Sequence, residues 1–70
     1  MKQPRKTQVI VVPVHGEPYS VGILPASVNM LDVIDFARDV LHHTPDAVAV
    51  KLYRLSATGT TRYLLDTLTA

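Results

Sequence analysis

The sequence predicts an α+β fold, a single two-layer domain with one helix packed on a four-stranded mixed sheet in the chain order ββαββ. Three observations carry this. Thr7 to Val14 and Tyr19 to Leu24 are β-branched or alternating segments on either side of the turn residues His15, Gly16, Glu17 and Pro18. Residues 30–41 place apolar side chains at helical spacing. Residues 47–68 return to strand-like composition around Thr58-Gly59.

Thr7 to Val14 is almost continuously apolar, which predicts a strand with both faces against something apolar. Tyr19, Val21 and Ile23 alternate with Ser20 and Gly22, the pattern of a strand with one buried face, and the two strands form a hairpin. For the helix, Ser27 or Asn29 supplies the N-cap and Thr44-Pro45 the stop. At about 100° per residue, Met30, Val33, Ile34, Ala37, Val40 and Leu41 fall in one arc of about 120°, with Phe36 at its edge. Asp32, Asp35 and Asp39 fall opposite and predict an acidic, outward helix face.

In the last third, a two-residue Thr58-Gly59 turn sets Leu55 against Arg62, Arg54 against Tyr63, Tyr53 against Leu64 and Lys51 against Asp66. That register brings opposite charges together at Lys51 and Asp66, and a guanidinium to an aromatic ring at Arg54 and Tyr63. The competing reading is a short helix over residues 61–68, with Leu64 and Leu68 four apart.

With 70 residues, 47% of them hydrophobic, the chain makes one small domain. A chain of this size buries only about 60% of its unfolded surface, which leaves little room for a deep enzyme cleft. Having no cysteine, it has no disulfide framework, thiolate zinc ligand or cysteine nucleophile. No stretch approaches the roughly 20 apolar residues of a membrane span, and the N-terminus lacks a signal peptide's apolar run, so a cytoplasmic protein is expected. Charge is segregated along the chain. Residues 1–6 form a flexible arm carrying Lys2, Arg5 and Lys6, and residues 7–70 form the domain, acidic up to residue 50 and basic after it.

The succession strand, turn, strand, then LPASVNMLDVIDFARDVL resembles the ubiquitin-like, or β-grasp, superfamily, whose helix follows the second strand through a similar proline-serine segment. Small ubiquitin-like proteins attached to bacterial secretion systems begin their helix in a similar way. The resemblance covers roughly residues 8–68. It implies that the first and last strands lie parallel in the middle of the sheet, and that the protein acts as an adaptor or accessory module. Three features depart from the pattern. The glycine-aspartate turn before the final strand is absent, and the chain ends Thr67-Leu68-Thr69-Ala70 where conjugated carriers end in Gly-Gly, which speaks against covalent carriage. Pro13 also conflicts with a central first strand, because proline within a sheet is confined to edges, ends and bulges. Either pairing ends near Val12 or the strand lies at an edge.

One helix covers one sheet face, yet the strands are apolar on both. Tyr53, Leu55, Leu64 and Leu68, with Val9 and Val11 or their neighbours, therefore predict an uncovered apolar face that dimerises or docks on a protein partner, with Tyr53 as anchor. The expected function is a non-enzymatic protein-protein interaction module with no catalytic residue, cofactor or metal. His42 and His43 point about 100° apart on a helix, and Asp39 with His43 makes only two ligands. Ser20, Ser27 and Ser56 lack a histidine-carboxylate constellation, and no glycine-rich loop opens the helix. The alternative is a small nucleic-acid-binding accessory protein using Lys2, Arg5, Lys6, Arg54 and Arg62, provided the arm folds toward the second hairpin.

Overall fold

The computed structural model describes residues 5–70; Lys2 and the first part of the expected basic arm lie outside the described residues. The elements run β1 (Thr7–Pro13), β2 (Tyr19–Leu24), α1 (Met30–His43), β3 (Ala47–Leu55) and β4 (Arg62–Thr69). They form an α+β domain with one helix on a four-stranded open sheet. Asn29, rather than Ser27, caps α1, its side chain accepting from the Asp32 amide at 2.9 Å. At the other end, Thr44 donates its hydroxyl to the Val40 carbonyl at 2.7 Å, just before Pro45.

The strand order is β2-β1-β3-β4, and every neighbouring pair is antiparallel. This corrects the expectation of a mixed sheet with the first and last strands side by side. β1 pairs with β3, and β4 takes the outer edge. The residues explain the choice. The strand beside β1 lies under the helix and must be apolar on that side; β3 supplies Ala47, Val50 and Leu52 to the core there, with Ala49 buried on the other side, whereas β4 carries Arg62, Asp66, Thr67 and Thr69 and is exposed along most of its length. Since β2 and β3 both run antiparallel to β1, they are parallel to each other with β1 between, and α1 makes the crossover.

Pro13 is accommodated without moving β1 to an edge. It is the last residue of the strand, paired with Ala47 just past a shift in register that leaves Val48 unmatched. A second shift lies in the β3-β4 ladder, where Leu52 pairs with Asp66 but Tyr53 pairs with Leu64, leaving Leu65 as the extra residue. That bulge re-aims the end of β4. Lys51 meets Thr67 instead of Asp66, whose carboxylate accepts from the Thr67 amide at 2.8 Å, and Leu68 sits across from Val50.

Paired residues share a face and successive residues alternate, so the registers sort the sheet. Val9 with Leu52, and Val11 with Val50, face the helix and close on Val33 and Ala37 to form the core. Val9 and Val11, expected at an interface, are 0% exposed. Leu68 packs against the same core, so it too leaves the expected interface, turned inward by the bulge.

Candidate functional site

The open face carries, at paired positions, Gln8, Ile10 and Val12 from β1, Ala49, Lys51, Tyr53 and Leu55 from β3, and Arg62, Leu64 and Thr67 from β4. Of the expected interface, Tyr53, Leu55 and Leu64 are here; the first two are half-buried and Leu64 is exposed. Ile10 is buried on this side as well, paired with Lys51, whose aliphatic stem is long enough to lie over it. No carboxylate occupies a paired position on this face.

Arg62 organises its middle. The guanidinium lies 4.6 Å from the centroid of the Tyr53 ring, and Nη1 donates to Gln8 Oε1 at 3.2 Å. The cation-ring contact expected between Arg54 and Tyr63 thus forms between Arg62 and Tyr53. Arg62 pairs with Leu55 and Tyr53 with Leu64, which makes them diagonal neighbours on one face. Arg54 does pair with Tyr63, but it belongs to the helix-side face with Thr7, opposite Arg62, and its Nε is buried with no hydrogen-bond partner. The two arginines therefore do not make one basic surface.

The start of β1 does reach the second hairpin. The Leu55 amide donates to the Lys6 carbonyl at 2.9 Å, and Arg5 and Lys6 line a cavity of about 280 Å³ with Ile23, Leu55 and the hairpin residues Ser56 to Gly59. The hairpin is wider than a two-residue turn. The Gly59 amide donates to the Ser56 carbonyl, Ala57 and Thr58 are the central residues, and Gly59 follows at φ 76°.

Asp32, Asp35 and Asp39 are exposed on α1, as the periodicity requires. Two are engaged locally, Asp35 with Arg38 at 3.8 Å and Asp39 with His43 at 3.3 Å. His43 Nδ1 also donates to the Asp39 carbonyl at 2.8 Å. Among the described residues no three histidine or carboxylate side chains are grouped to hold a metal ion, and no helix is long and apolar enough to cross a membrane. A larger open cavity of about 570 Å³ lies at the far end, between the C-terminus of α1 and the end of β4, with Arg38 and His42 among its lining residues.

Gln8 on the open face was not singled out by sequence reasoning; strand alternation would have placed it with Ile10 had β1's buried side been known. Tyr19, Val21 and Ile23, expected to share one buried face, are all exposed: Ile23 pairs with Gln8 on the open face and Tyr19 with Val11 on the helix side, because a register shift leaves Val21 as an extra residue between them. Leu31, 75% exposed, falls outside the helix's apolar arc, which was signal enough to expect it on the surface. Comparison with known proteins finds no matching family model, no matching curated protein and no matching solved structure.

Proposed function

We propose that the protein is a small non-enzymatic interaction module whose open sheet face is its contact surface. The observation that carries this is the composition of that face. Tyr53, Leu55 and Leu64 supply apolar area, while Lys51 and Arg62 sit among them with no carboxylate beside them. A face-to-face homodimer would bring the basic residues of one copy against those of the other, which is costly, so docking on an acidic protein partner is favoured over self-association. The ubiquitin-like resemblance contributes only the idea of a small sheet offered to a partner, because the strand order differs.

A photo-reactive residue at position 64 should give a discrete adduct in an extract of the source cells, and one at position 35 should not. Adducts from position 35 alone would move the contact surface to the helix.

A second reading has its own support. Arg5 and Lys6 adjoin the open face, and Tyr53 with Arg62 provides an aromatic ring and a guanidinium plane there, so a single-stranded nucleic acid is the alternative occupant. Its signature is binding that weakens steeply with salt.

A further inference from the structure

We infer that the cavity between the start of β1 and the β3-β4 hairpin is a phosphate-group site, and that the phosphate belongs to a nucleic-acid backbone lying along the open face. The inference rests on the second reading above and assigns its first anchoring contact. Two cations, Arg5 and Lys6, line a space of about 280 Å³, and no carboxylate lines it. The Lys6 carbonyl is tied to the Leu55 amide, which fixes the backbone carrying both cations beside the hairpin.

The hairpin adds hydroxyls. Ser56 Oγ lies 3.3 Å from Thr58 Oγ1, which lies 2.8 Å from Thr60 Oγ1, and the Thr61 amide donates to Ser56 Oγ at 3.2 Å. Of these three hydroxyls, Ser56 and Thr58 line the cavity and Thr60 does not, so two of them stand at its wall. Two cations with no carboxylate among the lining residues match a group that is negatively charged and rich in acceptor oxygens, and an arginine fork adds bidentate capacity.

The surroundings select a nucleic acid over a smaller phosphate. Leu55 lines the cavity and pairs with Arg62, whose guanidinium covers Tyr53; Lys51 follows two residues before Tyr53 on the same face. Cations thus continue for about 13 Å along β3 from Leu55 to Lys51, at about 3.3 Å per residue. A free phosphate would use only the cavity.

The test is titration of the 15N-labelled protein at low salt with inorganic phosphate, with a short oligothymidylate and with a phosphoserine peptide. The expected result is movement of the Lys6 and Ser56 to Gly59 amides, with the oligonucleotide binding at least tenfold more tightly than either other probe. Arg5→Gln with Lys6→Gln, both exposed and checked for fold by circular dichroism, should cost the oligonucleotide tenfold or more and lower its salt slope by about 2. Absence of any movement overturns the inference, as does oligonucleotide binding unaffected by the double variant. Loss on Arg62→Gln without loss on the double variant would leave the open face as the surface and remove the cavity from it. Saturation by inorganic phosphate alone, or a peptide binding as tightly as the oligonucleotide, overturns the nucleic-acid assignment.

Discussion

The Arg62 guanidinium lies over the Tyr53 ring and hydrogen-bonds Gln8, so one side chain from the edge strand spans β3 to reach β1. This contact joins the apolar and basic parts of the open face. It is exposed, and such contacts contribute only about 0.5–1 kcal/mol. Arg62→Ala should therefore lower unfolding free energy by no more than about 1 kcal/mol in urea titration while weakening partner binding substantially. A loss of several kcal/mol would make Arg62 a structural residue instead.

The division of the sheet into two faces predicts unequal costs. Leu52 is fully buried between β1 and the helix, and Leu52→Ala should cost about 2–5 kcal/mol. Leu31→Ala, on the exposed side of α1, should stay within about 0.5 kcal/mol. Chemical denaturation of both variants checks the pair, and equal costs would mean that the helix packs by another face.

Much of this division was legible beforehand. The helix stripe around Val33 and Ala37, the strand segments, and the pairing of Tyr53 with Leu64 follow from spacing alone. The bulges do not. Nothing in RYLLDTLT marks Leu65 as the extra residue, and because alternation has period two, that one residue moves Leu68 from the open face to the core. Strand order was missed for a different reason. Both β3 and β4 are apolar enough to be strands, and only the burial of Val50 and Leu52 against the helix, with β4 exposed along most of its length, shows which one lies beside β1. Val9 and Val11 were placed at an interface because β1 is apolar on both sides, a pattern that could not say which side the helix covers.

Helix initiation rests on one side chain. Asn29→Ala removes the acceptor for the Asp32 amide and should cost about 1 kcal/mol, whereas Asn29→Gly should cost only a few tenths. Thermal unfolding of the two variants decides it, and identical losses would show that the cap contributes little.

Two glycines of similar openness should behave differently. Gly59 has φ 76° at the second hairpin, so Gly59→Ala should destabilise by about 1–2 kcal/mol although no atom lies within 4 Å of the added carbon. Gly22 has the same free space with no positive φ, and Gly22→Ala should be tolerated. Equal sensitivity of the two in urea would contradict the hairpin geometry.

The central claim is that the open sheet face, rather than the helix, meets the partner. The most direct measurement is binding of the cross-linked partner, once purified, to Tyr53→Ser with Leu64→Ser and separately to Leu31→Ser, each with fold verified by circular dichroism. A loss of tenfold or more for the open-face variant, with the helix variant unchanged, is the predicted result. Full binding by the open-face variant together with loss at Leu31 would contradict it.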